Sequence, residues 1–238
     1  MKIQPIKTRV FKENESLLDF IQKYVKKLPE KSVVVVTSKI VALSEGRTLI
    51  YKSKKDKERI IKQESSFAIK TKYTWLTIKE GTVMASAGVD ESNADGKLIL
   101  LPKNSFHSAD QIRKELKKIF KVKDLGVLIT DSRLLPLRAG AVGVALGYAG
   151  FKGIRSYIGK KDIFGKKLKV SRTDVADSLA TSAVLSMGEG REQQPLALVL
   201  DAPIEFCDKI NNKELLIDPR EDIYQPLFEK IKKIRFRA

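Results

Sequence analysis

Hydrophobic and polar positions recur along the chain with two different periods, and each period predicts one kind of element. Apolar residues from Leu17 to Leu28 return every three or four positions between Ser16 and Pro29, which is typical of an amphipathic helix. The run Val33 to Val36 is instead short, continuous and β-branched, which is typical of a strand buried on both faces. We therefore expect helices packed on a buried sheet.

Further strands are predicted at apolar runs that end in polar or turn residues. They span Thr82 to Ala87, Lys97 to Leu101, Gly126 to Thr130 and Leu196 to Leu200. The small residues from Ala139 to Gly153 predict close backbone packing.

Helices are predicted where a capping residue precedes a periodic apolar pattern. Ser108 with Gln111 and Ser171 with Asp174 begin two of them, and Tyr224 to Arg237 forms a basic amphipathic third. The charged segment Lys52 to Lys62 predicts a solvated helix or loop without a core-facing stripe. The predicted fold class is α+β (mixed α/β), a single intertwined unit with mixed sheets over residues 1–238.

Composition narrows the class of protein. With 42% hydrophobic and 32% charged residues, the chain is neither disordered nor fibrous. Its net charge of +17, from 46 basic and 29 acidic residues, favours an anionic partner. Cys207 has no second cysteine to pair with, and no apolar run approaches the length of a membrane span. These features predict a cytoplasmic protein with no membrane segment.

Two common nucleotide motifs are absent from the sequence. Gly159 to Lys166 has the wrong glycine spacing for a P-loop, and Gly188 and Gly190 follow a predicted helix rather than the strand that a Rossmann fingerprint requires. The single histidine, His107, has no nucleophile motif nearby, so we interpret it as an ordinary loop residue.

Acidic residues form the stronger candidate constellation. Asp90 and Asp131 both follow predicted buried strands, where open sheets place ligand-binding groups. Oxygen ligands from these carboxylates, from Ser132 and from Glu189 suit Mg²⁺ or Mn²⁺, and a third carboxylate permits two ions. The structural alternative stays open: Asp90 caps a turn, Asp131 caps a helix and Glu189 is solvated.

Several collinear segments carry a resemblance to a known family. They are Val33 to Arg47, Ala87 to Asn93, Ser108 to Leu116, Ile129 to Gly140 and Thr173 to Glu189, and the most specific are GVDESN and the later TDS. The chain resembles the coenzyme F-420 gamma-glutamyl ligase family. The resemblance implies a GTP-dependent homodimeric ligase with two divalent ions, Mg²⁺ or Mn²⁺. Such a ligase joins L-glutamate to the carboxylate of an anionic deazaflavin precursor through an acyl phosphate.

The same resemblance assigns roles to individual residues. Asp90 and Asp131 fall on catalytic metal-ligand positions, together with Ser132 and Glu189, where the family usually has Thr and Gln. The nucleotide contacts fall on Ser38, Lys39, Asn93, Met187, Gly188, Gly190 and Arg191, within a stretch that runs on to Gln194. Amides around Gly188 and Gly190 suit an anion nest, whereas Lys39 is alternatively one exposed lysine among many.

Departures from the family pattern leave the acceptor open. Residues 133–138 read RLLPLR where the family usually has an aromatic and arginine-rich string, Val142-Gly143 replaces Thr-Asp, and Leu43 replaces a lysine. The acceptor is therefore a deazaflavin or another pterin-like or folate-like carboxylate. The sequence does not decide between GTP and ATP.

Two rival functions remain at this stage. The net charge and basic C-terminus suit a nucleic-acid-binding protein, although no recognition motif is present. A ligase-like scaffold that binds nucleotide without turnover is the other.

Overall fold

A computed structural model describes residues 1–229, in which twelve strands and six helices form. The strands are β1 (Lys2–Ile6), β2 (Ser32–Thr37), β3 (Thr48–Leu49), β4 (Phe67–Lys70), β5 (Trp75–Lys79), β6 (Thr82–Ala85), β7 (Leu98–Ile99), β8 (Leu125–Leu134), β9 (Ala141–Ala149), β10 (Ile154–Ser156), β11 (Arg172–Asp174) and β12 (Leu196–Leu200). The helices are α1 (Leu17–Tyr24), α2 (Ser38–Ser44), α3 (Lys54–Gln63), α4 (Ser105–Phe120), α5 (Val175–Met187) and α6 (Gln225–Glu229).

The largest sheet has the strand order β1-β12-β2-β8-β9. β2 and β8 run parallel, whereas the other neighbouring pairs are antiparallel. Smaller antiparallel sheets join β4, β5 and β6, β3 with β7, and β10 with β11. The mixed sheets together with the packed helices confirm the predicted α+β class.

The valine run of β2 is buried on both faces, as predicted. Val34 and Val36 pack in one apolar cluster with α1 and α4, and Val33 and Val35 pack in a second cluster with α5. Alternate side chains of a strand point to opposite faces, so a continuous apolar run is needed to face both helix layers.

Glycines in β9 allow the helices to approach this sheet closely. A Cβ on Gly147 would lie 2.4 Å from the backbone of Ser105, and one on Gly143 would lie 2.4 Å from the carbonyl oxygen of Ala180. The predicted close backbone packing is therefore confirmed, against α4 at one position and α5 at the other.

A smaller layer of the molecule contains α3 and the sheet β4-β5-β6. Ile60 and Ile61 of α3 are buried in an apolar cluster with Leu98 and Leu100. The segment from Lys52 to Lys62, predicted as a solvated helix or loop without a core-facing stripe, is largely helical and has no such stripe, but it is not fully solvated. Two adjacent isoleucines suffice to anchor an otherwise charged helix.

Two helices begin at residues other than the predicted caps, and a third has no side-chain cap. α4 begins after Asn104, whose side chain accepts a hydrogen bond from the His107 N–H, so Ser108 lies inside the helix. The N-cap of α5 is Asp174 rather than Ser171. α2 was not predicted, and its N-cap Thr37 makes no side-chain capping bond that could mark it.

The predicted C-terminal helix is seen in part. α6 is described over Gln225–Glu229, and the remainder of the predicted segment, residues 230–237, lies outside the described residues. Across residues 1–229 there is no helix of sufficient length and apolarity for a membrane crossing. The single-unit organisation over residues 1–238 stays a prediction.

Candidate functional site

A cavity of about 640 Å³, here called the main cavity, opens where α2, β8 and the end of α5 meet the loop after β6. Every residue predicted to bind nucleotide or metal lines it: Ser38, Lys39, Asp90, Asn93, Asp131, Ser132, Met187, Gly188, Glu189, Gly190 and Arg191. Their roles remain predictions, but the fold brings residues from four distant segments to one place.

The parallel pairing of β2 with β8 brings the first of these residues together. Thr37 lies beside Thr130 at the end of the ladder, so Ser38 and Asp131 both follow it directly. The Ser38 hydroxyl donates to Asp131 Oδ1 over 3.4 Å.

The local positions of the two aspartates differ from the prediction that both follow buried strands. Asp131 lies within β8, because β9 continues to pair with β8 as far as Leu134. Asp90 follows a 3-10 turn rather than a strand, since the chain leaves β6 with Ala87 at a φ of +54°. The Ala87 N–H donates to Thr77 Oγ1 over 2.8 Å and holds that turn.

Asp90 is held in its ionised form by a compact group of donors. Lys39 Nζ lies 2.8 Å from Asp90 Oδ2, and the N–H and hydroxyl of Ser92 donate to the two carboxylate oxygens over 2.7 and 2.8 Å. Burial raises the pKa of Asp90, but the bonds from Lys39 and Ser92 outweigh it, and the net pKa lies below the ordinary value.

Asp131 has the opposite electrostatics. Burial raises the pKa of its carboxyl, and the negative charge of Asp90 acts in the same direction. The hydrogen bond from the Ser132 N–H and the positive charge of Arg133 oppose this shift without cancelling it. The net pKa of Asp131 therefore lies above its ordinary value, so a cation bound beside it would stabilise the ionised form.

Ser132 and Glu189 meet across the cavity. The Ser132 hydroxyl donates to Glu189 Oε1 and joins β8 to the loop after α5. Together with Asp90 and Asp131, this pair supplies carboxylate and hydroxyl oxygens to one cavity wall.

The loop after α5 only partly matches the predicted anion nest. The Gly188 N–H is used by the helix, since it donates to Val184 O over 2.9 Å. The Gly190 N–H does bind an anion, the Glu192 carboxylate, at 2.7 Å from Oε2. The side chain of Met187 is buried in the core, so it contributes little surface to the cavity.

The main cavity is acidic although the chain is strongly basic. Its lining includes four cationic side chains and five carboxylates: Arg9, Lys39, Lys57 and Arg191 against Asp90, Glu91, Asp131, Glu189 and Glu192. A triphosphate would be repelled from such a wall unless cations came with it.

Two polar atoms of this cavity lack partners. Thr130 Oγ1 and Gln194 Oε1 are buried and accept or donate no hydrogen bond within residues 1–229. Buried polar atoms are normally paired, so both atoms have capacity for a ligand or water.

The donor set suits a hard divalent ion bound with its ligand. No three His, Cys, Asp or Glu side chains of the described part of the chain gather into a metal cage. Mg²⁺ is usually held by one or two carboxylates and completes its shell with water and phosphate oxygens. The oxygens of Asp131, Ser132 and Glu189 fit that kind of site.

Sequence reasoning missed two contributors to the cavity. Ser92 lies within the GVDESN string, where an Asx-type turn after Asp90 was the available signal. Lys57 was overlooked because its helix looked solvated, yet Lys57 Nζ pairs with Glu91 at 2.9 Å. His107 lies exposed in the first turn of α4 rather than in a loop, and it does not line the cavity.

A family of known proteins matches most of the chain. The model of the family described as F420-0:Gamma-glutamyl ligase matches residues 5–201. The chain belongs to this gamma-glutamyl ligase family.

Curated relatives from this ligase family match most of the chain. A coenzyme F420:L-glutamate ligase of Methanococcus maripaludis strain C7 is 34% identical over 231 residues, which covers 90% of this chain and 92% of the relative. The corresponding ligase of Methanocaldococcus jannaschii is 35% identical and covers 81% of this chain and 78% of its own. The ligase of Methanothermobacter thermautotrophicus is 36% identical over 166 residues, which covers 68% of this chain and 66% of the relative.

The segment that departs from the ligase family pattern lies next to the main cavity but outside its lining. Residues 133–143 form the outer end of the β8–β9 hairpin, where Leu134 is exposed and Leu137 in the turn is fully exposed. None of these residues lines the cavity, whereas Leu43 does. The departures in the hairpin therefore change no lining residue, although the charge of Arg133 acts on Asp131.

Proposed function

We propose that this protein is a nucleotide- and divalent-metal-dependent ligase that joins L-glutamate to the carboxylate of a coenzyme F420 precursor. Family membership and relatives named coenzyme F420:L-glutamate ligase support this reaction class. The observation that carries the proposal is the main cavity. Its lining brings together the basic and acidic residues to which the family resemblance assigns nucleotide and metal binding.

The carboxylates of this cavity are its cation-binding part. Asp131, Ser132 and Glu189, with Asp90 beside them, would hold one or two Mg²⁺ or Mn²⁺ ions. When bound, these ions neutralise phosphate charge and polarise the transferred phosphoryl group. A cation beside Asp131 would offset the burial that raises the pKa of this carboxyl.

The cationic side chains of the cavity position the nucleotide. Lys39 Nζ already donates to two acceptors of Ser92 and pairs with Asp90, so it is fixed at the cavity wall as a point charge for phosphate. Asn93, Arg191 and the Gly190 N–H lie around the same space. We propose GTP as the co-substrate, with ATP as the alternative.

The chemistry proceeds in two balanced steps. An acceptor carboxylate oxygen attacks the terminal phosphorus, the nucleoside diphosphate leaves, and an acyl phosphate forms. The glutamate amine then attacks the acyl carbon, phosphate leaves, and the amine releases a proton. The protein's task is to hold the three reactants in line and limit the access of water to the acyl phosphate.

The same proposal extends to the protein's setting. We expect a homodimer, as the family resemblance implies, and a cytoplasmic location, as the single cysteine and the short apolar runs predict. A folate-like or other pterin-like acceptor is the alternative substrate.

A glutamylation assay tests the proposed function. Purified protein is incubated with L-glutamate, F420-0, Mg²⁺ or Mn²⁺, and either GTP or ATP, and diphosphate release and the mass of the acceptor are followed. We expect one diphosphate for each glutamate added, and no product without the divalent ion. Absence of turnover with every nucleotide, metal and acceptor would contradict the proposal.

A further inference from the structure

A second cavity of about 370 Å³ lies between α3 and the turn that joins β4 to β5. One face of α3 forms a wall, with Lys54, Lys57, Glu58 and Ile61 at helical spacing. The facing wall is the segment from Lys70 to Trp75. We call it the lysine-aromatic cavity, and its size suits a ring system or a phosphate-bearing group.

The lysine-aromatic cavity carries uncompensated positive charge. Lys57 pairs with Glu91 and Lys70 pairs with Glu58, each at 2.9 Å. Lys54 and Lys72 also line it, and neither has an ion-pair partner among residues 1–229. Among the described residues, Lys72 Nζ contacts only the Tyr73 ring, 5.2 Å from its centroid, and Lys54 acts on Glu58 without forming an ion pair. Ammonium groups without an ion pair in a concave site attract anions more strongly than the same groups on a flat surface.

Aromatic rings lie among these lysines. Trp75 already has two ammonium groups over it, with Lys62 Nζ 4.8 Å and Lys70 Nζ 5.8 Å from the ring centroid. Tyr73 is 87% exposed, with Lys72 Nζ 5.2 Å from its ring centroid, so much of the ring is accessible for stacking. Such rings can stack on a planar ligand while the neighbouring ammonium groups pair with its anionic groups.

The two cavities share a wall. Lys57, Thr74, Ser86 and Glu91 line both of them. The Thr74 and Ser86 hydroxyls lie 2.7 Å apart and join the β4–β5 turn to the 3-10 turn that precedes Asp90. A ligand seated among the lysines can therefore extend towards the carboxylates of the main cavity.

We propose that the lysine-aromatic cavity binds the ring-bearing, anionic part of the acceptor and directs its carboxylate into the main cavity. The inference rests on the proposed function for the identity of the acceptor. Lys54 and Lys72 supply charge, and Tyr73 supplies a stacking face. Because the nucleotide is assigned to the main cavity, loss of these lysines affects the acceptor and not the nucleotide.

Calorimetry and kinetics on a matched pair of double variants test the proposal. Lys54→Gln with Lys72→Gln removes the two unpaired charges, whereas Lys55→Gln with Lys166→Gln removes two exposed lysines that do not line the cavity. We expect the first pair to weaken F420-0 binding and raise its KM by about tenfold. The affinity for nucleotide and kcat should stay within about twofold of the control pair.

The other possible results distinguish a failure of the acceptor-site inference from a failure of the proposed ligase function. Equal F420-0 affinity in both pairs, or no F420-0 binding by the parent protein, would overturn the inference. Loss of inorganic phosphate binding with unchanged F420-0 binding would also overturn it, because the site would then hold a free anion. Weaker F420-0 binding in the first pair without glutamylation by any variant would support the inference and contradict the proposed function.

Discussion

The two adjoining cavities carry opposite charge although they share a wall. The main cavity holds five carboxylates against four cationic side chains, whereas the lysine-aromatic cavity holds four lysines against two glutamates. The charge of neither cavity could be predicted from the net charge of the chain, +17. Average surface charge therefore says little about what a site binds, because local pairing decides which charges stay available.

The difference in charge suggests that the two cavities bind different ligands. An acidic wall accepts a polyphosphate only together with divalent ions, whereas a basic wall accepts an anion directly. The shared Lys57–Glu91 pair, 2.9 Å apart, lies at the boundary where the charge changes sign. Substitutions in the main cavity, and one in an acidic pair outside both cavities, test the acidic side of this contrast.

Asp131→Asn should have the largest effect. It removes the buried carboxylate that is proposed to hold the divalent ion, and we expect diphosphate release to fall by roughly 100-fold or more. The melting temperature should hold or rise, because a buried charge is lost. Asp110→Asn, on the exposed face of α4, is the control. Normal turnover by the Asp131 variant would remove this carboxylate from the chemistry.

Lys39→Gln should have the next largest effect. It removes the ammonium group that Asp90 and the proposed phosphate share, and a lost charge-assisted bond lowers kcat/KM by roughly 10- to 100-fold. The pKa of Asp90 should rise when this partner is gone. Kinetics beside the exposed Lys103→Gln variant measure the effect. If the two variants behave alike, Lys39 is one surface lysine among many.

How far the sequence predicted this site depends on the kind of signal. The valine run of β2 is a local pattern and predicted the strand. The family resemblance carried chiefly by the GVDESN and TDS strings predicted most of the residues that line the cavity. The continuation of β8 past Asp131 depends on pairing with β9, which local polarity does not indicate.

The lysine-aromatic cavity could not be predicted from local sequence patterns, because its walls come from separate segments of the chain. Lys54 and Lys57 looked solvated because the residues facing them, Lys70 to Trp75, lie in a different hairpin. Ile60 and Ile61 anchor α3 there without a periodic stripe. Tertiary contacts alone reveal which lysines remain unpaired.

Asp174 and Asp177 form an acidic pair outside both cavities, which tests whether half-buried carboxylates are costly without a cation. Burial raises the pKa of Asp174 to about 6, and the charge of Asp177 adds to it. The folded state then binds more protons than the unfolded state between about pH 4 and 6, so stability from this group falls as pH rises through that window.

Asp174→Asn removes this penalty and keeps the α5 cap, since Asn caps as well as Asp. We expect roughly 1 to 2 kcal/mol of added unfolding free energy at pH 7.5, reduced by partial contact with water. The gain should vanish at pH 4. Urea titrations at the two pH values, beside Asp201→Asn, measure it. A gain that does not depend on pH would contradict this origin.

Glu192→Gln should have the smallest effect. The Glu192 carboxylate bonds the Gly190 N–H, where we expect a phosphate to compete. The neutral side chain should tighten nucleotide binding by about threefold, as a competing negative charge is lost. Titration against Glu221→Gln provides the comparison. Weaker binding would show that Glu192 supports the nucleotide loop.

The central claim is that the acidic main cavity takes nucleotide only together with a divalent ion. Calorimetry with GTP, and then ATP, with and without Mn²⁺, on the parent protein and Asp131→Asn tests it most directly. We expect binding by the parent with Mn²⁺, little without it, and loss in the variant. Binding that ignores both the ion and Asp131 would contradict the account.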